Sequence, residues 1–198
     1  MIDAVHEQIV ATSALEWVAV LLALGYLVLA IGQSVWCWPC AFVSTGIYIY
    51  LYGSVELYME SALNVFYLLV AIYGFWYWWQ GGVGGATATV QRLAARWHVI
   101  AIAVIVILVV FSGKVLQAYT EQAYPYVDAM TTWSAVWATW LTARKIIENW
   151  WYWLVIDVVS VWLFWTRGLA LTSVLFVVYV CLIPFGYQRW RRSEQALI

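Results

Sequence analysis

One carboxylate stands inside an apolar run that is otherwise crowded with tryptophan. Residues 150–165 hold Trp150, Trp151, Trp153, Trp162 and Trp165, with Asp157 close to the middle. Hydrocarbon offers a charge no partner, so an acid placed there faces protein, water or a ligand. Flat indole faces around one acid suit a planar, polar or cationic small molecule. The bland reading makes Asp157 a structural partner for another helix, but an acid at mid-span is by default a site. Asn64, with Tyr67 one turn on, is the matching polar feature earlier in the chain. Its amide can bind a hydroxyl or carboxamide, or simply join two helices. Trp133, Trp137 and Trp140 recur at one-turn spacing, a stripe that serves packing more often than ligand contact. Arg144 and Glu148 stand four apart beside Lys145 and Asn149. A local ion pair is the bland reading of those two, and a cytoplasmic gate the sharper one.

Other constellations are weaker. Trp36-Cys37-Trp38-Pro39-Cys40 mimics a thioredoxin-like redox motif, in which a helix N-terminus lowers the first thiol's pKa. No strand-helix-strand pattern surrounds it, and only Cys181 remains as a further thiol, so a membrane thiol oxidoreductase using Cys37 and Cys40 is the remote alternative. His6 and His98 lie too far apart for a metal site. The glycines of residues 81–85 lack the Lys-Ser/Thr of a nucleotide loop. Neither a metal, a cofactor nor a nucleic-acid partner is expected, and no enzymatic activity. Trp36, Trp38, Trp76, Trp78 and Trp79 fall near span ends, where an interfacial belt explains them.

The elements that must position these residues are membrane helices. Of 198 residues, 66% are hydrophobic and only 10% charged, far from the balance of a soluble domain. Seven apolar segments run over 15–31, 35–52, 57–79, 97–111, 127–141, 150–165 and 169–187. The fifth is diluted by Thr131, Thr132, Ser134 and Thr139, so a six-span chain is the competing topology. Continuous rather than alternating apolar runs disfavour a β-barrel. The acidic start and the lack of a small-residue cleavage site mark the first segment as a span that stays. Gly32-Gln33-Ser34, Gly53-Ser54 and Arg167-Gly168 read as tight turns, residues 80–96 as the one real linker, and 112–126 as a polar connection.

Seven spans with the N-terminus outside place Arg92, Arg96, Arg144, Lys145, Arg189, Arg191 and Arg192 on one side, against Lys114 and Arg167 on the other. The rich side is the cytoplasmic one. An internal repeat also emerges. Trp36, Trp38 and Gly53 match Trp151, Trp153 and Gly168; after a gap of three, Tyr67, Gly74 and Trp78 match Tyr179, Gly186 and Trp190. The fold class is therefore all-α integral membrane: two parallel three-helix bundles joined by a linker helix, a 3+1+3 order. Its parts are an outer N-terminus (1–14), a first bundle (15–79), a linker with the fourth helix (80–126), a second bundle (127–190) and a cytoplasmic tail (191–198). Parallel repeats of this kind belong to transporters that bind substrate between their halves.

Residues 143–172, 60–78 and the terminal Gly-Tyr-Gln-Arg-Trp resemble the PnuC family of vitamin transporters. The resemblance implies a SWEET-like arrangement, a homotrimer in a bacterial inner membrane, and facilitated diffusion of nicotinamide riboside. Relatives serve thiamine or riboflavin. It also implies trapping of the vitamin by a cytoplasmic kinase. Carried over by position, it points at Asn64, Tyr67, Trp137, Trp153 and Asp157 as substrate contacts, with Trp140 beside them. Thr139 stands where many members carry glutamine, which bears on the substrate read.

Overall fold

The computed structural model describes residues 13–54, 58–81, 88–119, 124–166 and 170–196. Seven helices fill them: α1 (Ala14–Ile31), α2 (Cys37–Ser54), α3 (Tyr58–Gln80), α4 (Ala95–Tyr119), α5 (Pro125–Ala143), α6 (Asn149–Thr166) and α7 (Ala170–Gln195). Ser13 caps α1 by accepting from Glu16 N–H at 3.2 Å, and Pro125 opens α5, where its missing N–H costs nothing. By length and composition Ala14–Ile31, Ala95–Tyr119 and Thr172–Gln195 can each cross a membrane. The Thr-diluted fifth segment is a full helix. Thr131, Thr139 and Thr142 return their hydroxyls to the carbonyls four residues back, at 3.1, 2.7 and 2.9 Å, which satisfies these three hydroxyls inside the helix.

Helices α1, α2 and α3 pack in sequence, as do α5, α6 and α7. The halves meet where α3 touches α5 and α1 touches α7, while the backbone of α4 packs closely against α5. The free face of α4 exposes Val99, Ile102, Val106, Ile107, Val110 and Phe111, as lipid contact requires. The polar connection expected over 112–126 is shorter than that, because α4 continues to Tyr119. Gly53 and Ser54 end α2 rather than forming a turn, and Arg167-Gly168 lies outside the described residues.

At the loop end of the bundles four indoles meet. Trp38 and Trp78 pack edge to face with centroids 5.4 Å apart, Trp78 and Trp190 at 6.0 Å, and Trp190 and Trp150 at 5.5 Å. Trp38 lies flat on Gly74 and Trp150 on Gly186, at positions where any side chain would overlap the ring. This corrects the belt assignment: Trp38 and Trp78 are 1% and 6% exposed and form the core, whereas Trp36, Trp76 and Trp79 do face outward.

The same geometry corrects the register of the repeat. A single spacing of 112 residues relates Trp38 to Trp150, Gly74 to Gly186 and Trp78 to Trp190, with no gap. The turns agree. Gln33 N–H to Ala30 O and Lys145 N–H to Thr142 O are both 3.0 Å; Ser34 to Leu29 and Ile146 to Leu141 are both 2.9 Å. Gln33 and Lys145 each take a left-handed backbone, with φ of 56° and 54°. Pairing Trp38 with Trp153 fails because three consecutive indoles sit in residues 150–153 with one intervening tyrosine. Spacing alone cannot tell which of them is the buried one.

Candidate functional site

The expected site residues fall into two groups. Tyr67, from α3 of the first bundle, packs against a buried cluster of Ala135 and Ala138 of α5 and Ile156 of α6, which Tyr152 and Trp153 of α6 also border. It is the point at which the first bundle enters the second. Trp153 reaches from this cluster to the tryptophan core, and its Nε1–H donates to Thr142 Oγ1 at 3.3 Å. Asp157 lies one turn on in α6, 4% exposed, and its Oδ1 has no hydrogen-bond partner among the described residues. Asn64 sits half-buried one turn before Tyr67 and is engaged by its surroundings. Thr139 is buried with its hydroxyl committed to Ala135 O, so it offers a ligand a lone pair rather than a free proton.

Three tyrosines that the sequence reading passed over complete this region. Tyr179 of α7 lies near Asp157 and near Tyr48 of α2, and Tyr26 of α1 lies near Tyr67 and Tyr179. Side chains of α1, α3, α6 and α7 thus come near this region in a chain of pairwise approaches. The signal was present in part: Tyr67 and Tyr179 are repeat partners at the 112-residue spacing. Tyr26 has no such mark.

The indoles expected to wall Asp157 do not. Trp151, Trp162 and Trp165 are exposed on the outside of α6, and Trp150 belongs to the core. Alternation of inner and outer faces on a helix makes this unavoidable, since five indoles in sixteen residues cannot share one side. Cavities of about 330 and 130 Å³ lie elsewhere, lined by the loop-end halves of α6 and α7 and by Ile31. Neither is lined by Asp157.

Trp137 and Trp140 stack with centroids 5.0 Å apart and planes 18° from parallel. Trp137 Nε1 is buried and, with Tyr152 nearby, meets no acceptor in good hydrogen-bond geometry among the described residues, which leaves it a donor for a polar group. Arg144 spreads over Trp140 at 5.7 Å and Tyr77 at 5.0 Å and donates to Tyr73 Oη at 3.4 Å.

The expected Arg144–Glu148 ion pair is absent, because α5 ends at Ala143 and the two residues no longer share a helix. Glu148 turns instead to the linker, accepting from Leu93 N–H at 3.2 Å and pairing with Arg92 at 3.8 Å. Arg92 also grips Glu194 of α7 with both guanidinium arms, and that hydrogen bond raises its pKa. Between these contacts Gln91 pairs with Ile146 as a short parallel bridge: Gln91 N–H donates to Lys145 O at 2.9 Å, and Ile147 N–H to Gln91 O at 3.0 Å. What read as an unstructured linker is a strap across the α5–α6 turn. Nearby, Lys145 lays its ammonium over Trp78 at 4.5 Å, and burial lowers its pKa.

Cys37 is fully buried, Cys40 half-buried, and the two are not bonded. His98 stacks on Tyr152 and shares a 3.0 Å hydrogen bond with its hydroxyl, a tie between α4 and α6.

Comparison with known proteins is consistent with this arrangement. Residues 13–192 match the nicotinamide mononucleotide transporter family. The chain is 30% identical over 177 residues to the riboflavin/roseoflavin transporter RibM of Streptomyces davaonensis, covering 84% of this chain and 80% of that one. It is 25% identical over 171 residues to the nicotinamide riboside transporter PnuC of Escherichia coli K12, covering 73% and 71%. Its fold aligns with the crystal structure of the vitamin B3 transporter PnuC at a TM-score of 0.72 and 21% identity, covering 98% and 90%. A seven-helix chain in two matching halves, aligned to that family over nearly its whole length, belongs to the nicotinamide mononucleotide transporter family of membrane proteins.

Proposed function

We propose that the chain carries a vitamin across the membrane by facilitated diffusion, nicotinamide riboside first, between its two bundles. The observation that carries this reading is Asp157, a buried carboxylate whose Oδ1 has no partner among the described residues, one turn from Trp153 on α6 and near Tyr179 of α7. A pyridinium ring supplies the missing counter-charge and stacks on indole. The thiazolium of thiamine meets the same two features. Asn64, Tyr67, Trp137, Thr139, Trp140, Trp153 and Asp157 are the proposed contacts, with Arg144 and Glu148 at the inner exit. The crowding of Arg92, Arg144, Lys145, Arg189 and Arg192 near the tryptophan core supports a cytoplasmic assignment for that end. In this reading the protein is a multi-pass homotrimer of a bacterial inner membrane, SWEET-like, with its N-terminus outside. A cytoplasmic kinase then phosphorylates the vitamin and makes uptake one-way.

Riboflavin is the second reading, favoured by the 30% identity to RibM. Its neutral rings would use indole faces and tyrosine hydroxyls in place of charge. Binding of nicotinamide riboside, thiamine and riboflavin to the purified protein and to Asp157→Asn separates the two. A cationic vitamin that binds, and loses about tenfold or more in affinity on that substitution, supports the first reading. Binding of riboflavin alone, indifferent to Asp157, replaces it with the second.

A further inference from the structure

The loop end of α7 carries three arginines, Arg189, Arg191 and Arg192. Arg189 and Arg192 are one turn apart and share a face; Arg191 lies off it. Those two line a cavity of about 330 Å³ together with Gln188, Phe185 and Ile31, the last residue of α1. Its walls are fixed to each other. Gln33 Nε2 donates to Ser193 Oγ at 2.8 Å and Trp190 Nε1 to Ala30 O at 2.9 Å, so the ends of α1 and α7 cannot slide together and fill it.

Neither arginine has an ion-pair or side-chain hydrogen-bond partner among the described residues. Glu194, the one carboxylate on α7, is taken by Arg92. Two unneutralised guanidinium forks at the mouth of one cavity select an oxyanion, with phosphate the best geometric match. Phe185 lies one turn toward the middle of the helix, about 6 Å deeper, and is 64% exposed. Beyond Gln188, which borders both cavities, Trp151, Leu154, Pro184 and Tyr187 line the second, apolar one of about 130 Å³. A soluble phosphate would use the arginines and leave this apolar wall wet. A phospholipid uses both, with its phosphate between the arginines and its glycerol and first methylenes on Ile31 and Phe185.

We infer that this α1–α7 junction is a binding site for the headgroup phosphate of an anionic membrane phospholipid. The test is native mass spectrometry of the delipidated, assembled protein titrated with phosphatidylglycerol or phosphatidylcholine, with inorganic phosphate as competitor. Phosphatidylglycerol is expected to stay bound to the wild type and to Arg191→Gln, and to bind about tenfold more weakly to the Arg189→Gln, Arg192→Gln double variant. Should the double variant fail to assemble, each single substitution is expected to lose part of the adduct. Equal loss in Arg191→Gln overturns the site in favour of a diffuse positive surface. Equal retention of phosphatidylcholine, or displacement by inorganic phosphate, overturns the anionic-lipid assignment. Absence of any adduct on the assembled wild type also overturns it, and marks the face as buried between copies.

Discussion

The indole N–H of Trp78, on α3, donates to the carbonyl of Ala143, the last residue of α5, at 3.0 Å. The second bundle returns the contact, Trp190 of α7 donating to Ala30 near the end of α1. Each bundle's third helix thus satisfies a terminal carbonyl on the other bundle's first helix, where carbonyls have no partner inside the helix. The two bonds pin the halves together at one end, and relative motion must occur elsewhere or break them.

The pair is not equivalent, and this makes a sharp expectation. Ala30 O also accepts from Gln33 N–H, whereas no second donor reaches Ala143 O among the described residues. Trp78→Phe should therefore destabilise by about 1–3 kcal/mol and Trp190→Phe by less. Thermal unfolding in detergent measures both, and equal losses would contradict the asymmetry.

Gly74 and Gly186 accept the faces of Trp38 and Trp150. Alanine at either position should cost about 1–3 kcal/mol through overpacking, since both rings are locked in the core. Gly46 meets nothing nearby, so Gly46→Ala in α2 should be neutral or stabilise by up to about 1 kcal/mol. Melting temperatures of the three variants check the contrast.

Asp157→Asn removes a buried charge while keeping its shape. Uptake of the cationic vitamin should fall about tenfold or more, while thermal stability holds or rises, because desolvation of the carboxylate is relieved. An uptake assay in vesicles, paired with a melt, reads both. Normal uptake would remove Asp157 from the site.

Arg92 holds the strap at residues 88–94 to Glu194 and Glu148. Its raised pKa means that its contribution is fully present below arginine's ordinary titration range and lost only above it. Alkaline pH in the working range should leave this cation in place, whereas salt screens it. The guanidinium is half-exposed, so Arg92→Gln should cost no more than about 1 kcal/mol globally. Hydrogen exchange across residues 88–94 should nonetheless quicken in that variant and at 1 M salt, an effect of screening over about 3 Å.

Composition and continuous apolar runs settled the membrane class and placed the seven helical segments, because burial in lipid dictates residue type along whole segments. Matched Trp, Tyr and Gly positions showed that the chain repeats, but not in which register. Asp157 was conspicuous as well, since a carboxylate that breaks an apolar run stands out. Tertiary structure alone decided which indoles face inward. Trp38, Trp78, Trp150 and Trp190 differ from Trp36, Trp76, Trp79 and Trp151 in facing, not in kind, and a tryptophan satisfies lipid, interface and core alike. It also decided that Glu148 serves the linker rather than Arg144, because the helix end between them turns the two side chains apart. Tyr179 came near Asp157 for a related reason: which helices meet depends on packing between segments, and no single segment encodes it.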